Sequence, residues 1–275
     1  DRDNIIDQYY GLKIQYLYPF ISGKDFTYIP SPYLVVNAVT ESMLNRVTFR
    51  DNKLRRAIGK EVIESYLYNI VRQLDTVTWI SPELLYKKGK DKLLTSDVIA
   101  AEGDNVIFYD TKAITPSLKL RKFDVAEIEA DIEIYAEDVI QIYNQINNYL
   151  QGCFQLDKQY LKDKIFGIVV VLEDAVVSRK KVYEKVYEIL EKTETLDTEE
   201  KNYICSHIKV LPLRAIECMI LQNTSLLPEL IEQLSKPERW YDYTYTNATI
   251  ENGKIPLYSK YEKDLKSRIK NRIMG

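Results

Sequence analysis

Two aspartates flank a short stretch at residues 96–113, and their spacing places them side by side in a hairpin. The stretch reads SDVIAAEGDNVIFYDTKA, with apolar runs on both sides of a Gly-Asp pair. A two-residue loop at Gly103-Asp104 pairs Asp97 with Asp110 across two antiparallel strands, and a four-residue loop at 102–105 gives the same register. Because side chains alternate along a strand, both aspartates share a face with Lys112.

Two carboxylates on one rung repel each other, and a bound cation would offset that repulsion. Opposed residues place their Cβ atoms about 5 Å apart. Like charges at that distance repel by about 3 kcal/mol at an effective dielectric of 20. Because Mg²⁺ and Mn²⁺ prefer hard oxygen ligands, the pattern predicts a Mg²⁺ (or Mn²⁺) site. Lys112 lies two residues further along the same face and can reach back to it.

The two strands also carry a family resemblance. Asp97, followed by Asp110-x-Lys112 on the next strand, resembles the signature of the PD-(D/E)xK nuclease superfamily, with Ser96 where that signature has proline. The resemblance implies a metal-dependent enzyme that hydrolyses phosphodiester bonds, with DNA as the favoured substrate. It also implies that the backbone carbonyl of Thr111 joins the two aspartates as a metal ligand. Lys112 would orient or deprotonate the attacking water.

A helix upstream of these strands adds an acidic residue to the resemblance. The segment GKEVIESYLYNIV at 59–71 is similar to the glycine-plus-glutamate helix that precedes the sheet of this superfamily. Glu64 fits best as its catalytic and metal-binding glutamate, although its distance from Gly59 is one residue longer than the commonest form. Glu61, one turn earlier, therefore remains a rival ligand.

A helix downstream adds a further motif. Gln145-Ile146-Asn147-Asn148-Tyr149 matches the Q-h-x-x-Y motif of the RecB-like branch of the superfamily. In that branch the motif follows the catalytic strand and helps to hold substrate or to orient the active site. The resemblance therefore implies a substrate-binding role for Gln145 and Tyr149, in a defence, restriction or repair setting.

Apolar periodicity gives the same order of elements without the motifs. A helix at 52–74 is expected to bury one stripe, and a second helix is expected at 126–150. Strands are expected at 79–86, 94–101, 106–111 and 166–172, the last parallel to its predecessor because a helix links the two. The predicted fold is α/β: a restriction-endonuclease-like core of helix, three-stranded antiparallel meander, helix and parallel strand, with helical N- and C-terminal additions. The expected stripe of the first helix is Leu54, Ile58, Val62, Tyr66 and Ile70.

The chain divides into three predicted regions. These are a mainly helical segment at 1–50, the nuclease-like core at 51–215, and a helical extension with a basic tail at 216–275. The tail suits contacts with a nucleic-acid backbone, and equally a terminal helix whose cations offset the negative end of its dipole. Because the chain begins with Asp1, we expect a processed or excised fragment with upstream domains or partner subunits. The cations that we expect to contact nucleic acid are Lys266, Arg268, Lys270 and Arg272.

Composition restricts the remaining classes of function. The 275 residues are 45% hydrophobic without a stretch of transmembrane length, which predicts a soluble protein with no membrane partner. Cys153, Cys205 and Cys218 are widely spaced, which argues against a disulfide framework or a zinc site and predicts a cytoplasmic setting. The single histidine, His207, is interpreted as a packing residue. A net charge of −3 weakens a broad nucleic-acid surface but leaves room for a local one.

Two alternatives remain open at this point. One is a catalytically silent nucleic-acid-binding or assembly module of the same fold within a larger protein. The other is an α/β domain in which Asp97 and Asp110 form an ordinary surface ion pair with Lys112. This second alternative predicts that both aspartates are exposed and face no cleft.

Overall fold

A computed structural model describes residues 20–29, 48, 51–113, 125–172, 177–193, 195–213 and 216–217. The described chain is a mixed α/β structure with one five-stranded sheet between helices. Most of the predicted N-terminal region and nearly all of the C-terminal region, with its tail cations at 266–272, lie outside the described residues. None of the described helices is long and apolar enough to cross a membrane.

The elements follow one another in a simple order. Near the N-terminus, residues 20–29 form a small hairpin. Two helices joined by a π-helical turn at Gly59–Glu64 then precede the main sheet. The strands are β1 (Ile21–Ser22), β2 (Thr27–Tyr28), β3 (Trp79–Pro82), β4 (Leu85–Lys88), β5 (Asp91–Leu94), β6 (Val98–Glu102), β7 (Asn105–Lys112), β8 (Ile165–Val171) and β9 (Ile208–Pro212). The helices are α1 (Asn52–Ile58), α2 (Ser65–Arg72), α3 (Val125–Leu150), α4 (Arg179–Leu190) and α5 (Thr198–His207).

The five-stranded sheet has the order β3-β6-β7-β8-β9. The first three strands pair antiparallel, whereas β8 pairs parallel with β7 and β9 pairs parallel with β8. In the β6–β7 hairpin Ile99 opposes Phe108 and Glu102 opposes Asn105, so the loop is Gly103-Asp104 and the predicted register is confirmed. Gly103 has a positive φ of 58°, which suits glycine in so short a turn.

Both faces of the sheet are covered. On one face α3 packs over Ile99, Ala101, Val106 and Phe108. On the other face α2 packs over the strand residues that alternate with them. Near-continuous apolar strands are expected of a sheet buried on both sides. A Cβ atom on Gly167 of β8 would clash with the side chain of Ile142, so α3 approaches the sheet closely at that point.

The helix before the sheet differs from the predicted stripe. Val62 is 56% exposed, whereas Ile63 and Leu67 are buried. The π-helical turn at Gly59–Glu64 explains the difference, because a wider turn takes one extra residue and delays the buried face accordingly. From Ile58 the stripe continues five residues later, and its buried members are Ile63, Leu67, Ile70, Val71 and Leu74.

The first two predicted strands are each divided. Residues 79–82 and 98–102 pair within the main sheet, while β4 and β5 leave it as a separate two-stranded ribbon. The ribbon turns at Gly89-Lys90, where Gly89 has a φ of 63°. At its base Leu84 and Thr95 are hydrogen-bonded to each other. The predicted meander is therefore β3-β6-β7, with a ribbon inserted between its first two strands.

The last part of the described chain completes the sheet. Helices α4 and α5 lead to β9, which begins at Ile208 directly after α5. His207 ends α5, and its ring stacks on Phe166 at 4.9 Å and on Tyr203 at 4.5 Å between centroids. Burial lowers the pKa of His207. These contacts agree with its interpretation as a packing residue.

Candidate active site

Asp110 lies near the end of β7 on the face covered by α3, and it is only 3% exposed. Its Oδ2 atom lies 2.7 Å from the Lys112 ammonium, two residues along the same strand face. Its Oδ1 atom accepts a hydrogen bond of 3.3 Å from Gln141 Nε2. The lysine therefore reaches back to the aspartate as its position on the strand predicts.

Asp97 precedes β6 and is half-buried. The β6–β7 ladder ends with Val98 opposite Tyr109, so Asp97 stands one residue beyond the paired rungs, level with Asp110. Its Oδ2 atom accepts two hydrogen bonds of 2.6 Å, from the Thr111 backbone N–H and from the Thr111 hydroxyl. Thr111 thus holds the carboxylate of Asp97, in addition to the ligand role that the resemblance implies for its carbonyl.

Glu64 faces the two aspartates from the helix, at the last residue of the π-helical turn. Its pKa is raised to about 7, first by burial and next by Asp97, with Lys60 opposing the shift and Glu83 and Asp110 adding to it. Glu61 is exposed. The extra residue between Gly59 and Glu64 is taken up by the wide turn. Of the two rival glutamates, Glu64 is the half-buried one whose pKa the two aspartates raise.

Two residues of α3 join the site without having been predicted. Lys112 Nζ lies 3.3 Å from Asp138 Oδ1 and donates a 2.8 Å hydrogen bond to Gln141 Oε1. The Lys112 ammonium is therefore held between a strand carboxylate and a helix carboxylate. The available signal was the polar series Asp138, Gln141 and Gln145 at steps of three and four, which marks one helix face beside the apolar stripe.

Burial favours the neutral forms of two carboxyl groups in the site. Burial raises the pKa of Asp110 to about 6, with Lys112 opposing the shift and Asp97 adding to it. Burial likewise raises the pKa of Asp138 to about 6 against the effect of Lys112. Burial opposes the charge of Lys112, but Asp110 and Asp138 outweigh it and raise the lysine pKa. One ammonium thus serves two buried carboxylates, and within the described chain Asp138 Oδ2 accepts no hydrogen bond.

Gln145 lies behind the site and supports β6 at its start. It is buried, and its Oε1 atom accepts a hydrogen bond from the hydroxyl of Ser96, which is itself fully buried. Ser96 immediately precedes Asp97, so this contact fixes the backbone from which the aspartate projects. Gln145 is therefore placed to orient the site from behind.

Tyr149 is not brought to the carboxylates. Its hydroxyl accepts a 2.8 Å hydrogen bond from the Tyr160 backbone N–H and donates one of 3.2 Å to the Lys158 carbonyl. Its ring packs near Phe108 and Phe154, at 6.3 and 5.6 Å between centroids. The structure therefore gives Tyr149 a role in the core and in holding residues 158–160, which differs from the substrate contact implied by the resemblance.

The site residues supply the oxygen atoms that Mg²⁺ prefers, although their side chains are turned to protein partners. Among the described residues, no group of three or more His, Cys, Asp or Glu side chains is close enough to hold a metal ion. Lys112 occupies one oxygen of Asp110, and Thr111 occupies one oxygen of Asp97. The donors match a hard cation in type. Its binding would require Lys112 to move away from Asp110.

Comparisons with known proteins find limited likeness. No family model matches the chain. A probable DNA-directed RNA polymerase of Gelasinospora sp. (strain G114) is 26% identical over 134 residues, which make up 49% of this chain. The chain spans about 15% of the length of that polymerase. The small subunit of a heterodimeric restriction endonuclease superposes over 73% of this chain and 96% of its own, with a TM-score of 0.33 and 9% identity.

The chemistry of the site follows from its own residues. A half-buried cluster of carboxylates attracts cations, and a half-buried ammonium beside it can hold a phosphate oxygen or a water molecule. Asp110 is buried and Asp97 is half-buried. The alternative of an exposed surface ion pair is therefore wrong for these two aspartates.

Proposed function

We propose that this chain is a metal-dependent nuclease that hydrolyses phosphodiester bonds, with DNA as its substrate, on a restriction-endonuclease-like core. The observation that supports this most directly is the contact of 2.7 Å between the Lys112 ammonium and the buried Asp110 at the end of the β6–β7 hairpin, with Asp97 on the adjacent strand and Glu64 near enough for both aspartates to raise its pKa. Such a grouping costs stability in the metal-free protein, as the raised carboxyl pKa values indicate. A purely structural ion pair would need one carboxylate.

Mg²⁺ or Mn²⁺ would be held by the carboxylates of Asp97, Asp110 and Glu64 with the Thr111 carbonyl. When bound, such an ion supplies charge stabilisation for the transition state and lowers the pKa of a bound water. Thr111 fixes the orientation of Asp97 through two hydrogen bonds. Gln145 fixes Ser96, the residue before Asp97, by accepting a hydrogen bond from its hydroxyl. These contacts reduce the conformational freedom that Asp97 would otherwise lose on binding a ligand.

Lys112 is proposed to orient the attacking water or to neutralise a non-bridging phosphate oxygen. Its ammonium has three donors. Asp110, Asp138 and Gln141 each lie within 3.3 Å of it in the structure. On release from Asp110, the lysine would keep its contacts with Asp138 and Gln141 on α3. The helix thus offers the ammonium a second anchor while it faces the substrate.

A catalytically silent nucleic-acid-binding module is the second candidate function. It is favoured by the engagement of Lys112 with two carboxylates, and by the hydrogen bonds that already satisfy Asp97 Oδ2. In this alternative the lysine acts as a permanent counter-ion. The two functions differ in whether a divalent ion displaces the lysine.

The test is incubation of the full chain with plasmid, linear duplex and single-stranded DNA in Mg²⁺ or Mn²⁺. We expect cleavage by the parent protein, loss of cleavage in Lys112→Ala with Mn²⁺ binding retained, and loss of both in Asp110→Asn. Calorimetric titration with Mn²⁺ measures the binding. Lys180→Ala is the control, because this exposed lysine pairs with Glu184, which is not a site residue. Mn²⁺ binding without cleavage of any substrate would favour the silent module, and equal cleavage by Lys112→Ala would remove this lysine from the mechanism.

A further inference from the structure

The ribbon formed by β4 and β5, residues 85–94, concentrates positive charge in an acidic protein. Four lysines against one aspartate leave it with three net positive charges, whereas the whole chain carries −3. The ribbon is inserted between β3 and β6, and its second strand ends three residues before Asp97. It is therefore rooted at the same end of the sheet as the candidate active site.

The inner face of the ribbon is anchored to α3 and to the residues after it. Tyr86 is buried against Phe154, at 4.8 Å between ring centroids, and its hydroxyl accepts a 2.8 Å hydrogen bond from Asn148. Lys88 Nζ donates a 2.7 Å hydrogen bond to the same asparagine. These contacts hold the ribbon in one orientation, so its other face is presented to solvent as a fixed surface.

That outer face is made of two rungs with an unusual composition. Leu85 opposes Leu94, and the two are 66% and 47% exposed. Two residues further along, on the same face, Lys87 directly opposes Lys92, and both are exposed. Like charges facing each other on a rung destabilise a hairpin. Among the described residues no carboxylate forms an ion pair with either lysine, or with Lys90 at the turn.

We propose that this outer face binds the backbone of duplex DNA, with the opposed lysines on phosphates. A phosphate oxygen beside Lys87 and Lys92 would relieve their repulsion because its negative charge attracts both ammonium groups. Each lysine that neutralises a phosphate also releases counter-ions from the DNA. A two-stranded β-ribbon is of a size that the major groove of duplex DNA admits. The exposed Leu85–Leu94 rung lies at the base of the same face, where it can make apolar contacts with the groove wall.

The position of the ribbon also relates it to the candidate active site. Lys88 contacts Asn148, which follows Gln141 of the site by seven residues of the same helix. Seven residues span about 10 Å along a helix axis, or about three base pairs of duplex. The anchor of the ribbon on α3 therefore lies about 10 Å along this helix from the residue that contacts Lys112. This relation to the site rests on the proposed function, whereas binding by the ribbon does not.

The test measures binding of a labelled 20-base-pair DNA duplex by the full chain in EDTA, where no cleavage takes place, as KCl is varied. We expect the combined variant Lys87→Ala, Lys90→Ala and Lys92→Ala to bind about tenfold or more weakly at 100 mM KCl. Each lost phosphate contact lowers the slope of log K against log[KCl] by about 0.9. The slope should therefore be shallower by about two to three.

The control variant removes the same charge from exposed lysines elsewhere: Lys180→Ala, Lys181→Ala and Lys192→Ala on α4 and just after it. It should bind with the parent slope. Near-ultraviolet circular dichroism and melting temperature check that both variants are folded. Equal slopes in the ribbon variant and the parent, no duplex binding by the parent, or preference for single-stranded DNA would overturn the proposal.

Two further outcomes separate the ribbon from the proposed function. Duplex binding that depends on the ribbon, in a protein that cleaves nothing with Mn²⁺, supports the ribbon and contradicts the nuclease. Cleavage by the ribbon variant with the KM of the parent supports the nuclease and contradicts the ribbon. Sedimentation with Leu85→Ser and Leu94→Ser tests a protein partner instead: self-association that is lost in this variant would overturn the DNA surface.

Discussion

Asp110→Asn should stabilise the metal-free protein, although it removes a buried ion-pair partner. Asp110 is almost completely buried, and its carboxyl pKa is raised from 3.8 to about 6 despite the Lys112 ammonium 2.7 Å away. Burial therefore outweighs the attraction. Asparagine keeps the shape of the side chain and removes its charge, while Lys112 keeps Asp138 as a carboxylate partner.

The magnitude follows from the pKa difference. A rise from 3.8 to about 6 corresponds to about 3 kcal/mol of unfavourable free energy for the ionised carboxyl in the folded state. The new amide must satisfy its own donors in a buried site, which returns part of this gain. We expect the variant to be more stable by about 1 to 2 kcal/mol at pH 8, or about 3 to 6 °C in melting temperature.

The pH dependence tests independently whether Asp110→Asn raises the stability of the protein. A raised carboxyl pKa means that the folded state takes up a proton more readily than the unfolded state, so the cost is complete above about pH 6 and disappears below about pH 4. The advantage of Asp110→Asn over the parent should therefore shrink as the pH falls through this window. Asp75→Asn, at an exposed position on the loop after α2, is the control. It should change neither the stability nor its pH dependence.

Thermal and urea unfolding in EDTA, from pH 4 to pH 8, measure the difference between variant and parent. With Mn²⁺ added, the parent should gain stability and Asp110→Asn should not, because ligand binding to the folded state alone raises its stability. A variant that is less stable than the parent by more than about 1 kcal/mol at pH 8 would refute this account of the site. It would show that the Asp110–Lys112 pair stabilises the fold on balance.

Three further predictions concern the surroundings of the site. Glu64→Gln should weaken Mn²⁺ binding about tenfold or more in calorimetry while Glu61→Gln leaves it unchanged, and the opposite pattern would make the exposed Glu61 the ligand. Asp138→Asn should lower the cleavage rate about tenfold with Mn²⁺ affinity retained, because the Lys112 ammonium loses its anchor on α3; an unchanged single-turnover rate would contradict this. Gly167→Ala should destabilise the protein by about 1 to 3 kcal/mol in urea unfolding, since the added methyl group meets the Ile142 side chain, and a neutral result would show that α3 can move away.

The hairpin at 96–113 could be predicted from sequence because its determinants are local. Alternation of apolar residues and a Gly-Asp turn fix the register within 18 residues, and Ile99 does oppose Phe108. The side-chain contacts at the end of the hairpin were harder to predict from sequence. Asp97 turns to the hydroxyl and backbone N–H of Thr111, a choice that depends on hydrogen bonds and not on strand periodicity.

Features formed between distant segments could not be predicted in the same way. Asp138 lies 26 residues after Lys112 in the chain, and only the packing of α3 on the sheet brings the two together. The Q-h-x-x-Y pattern located Gln145 and Tyr149 on the correct helix. It could not show that one supports Ser96 and the other holds residues 158–160. The sequence Lys-Gly-Lys-Asp-Lys at 88–92 is typical of a turn, but pairing of β4 with β5 away from the main sheet is accompanied by a tertiary contact at Asn148.

The π-helical turn at Gly59–Glu64 has a consequence for how this helix tolerates changes in length. Adding or removing one residue in a regular α-helix rotates every later side chain by about 100°. Here the additional residue is stored in the widened turn, whose last two residues are Ile63, the first of the buried stripe, and the glutamate that faces the sheet. Deleting one residue within 59–62 would convert the segment to an ordinary α-helix and leave both in register. A version of this helix that is one residue shorter can therefore present the same acid to the same strands.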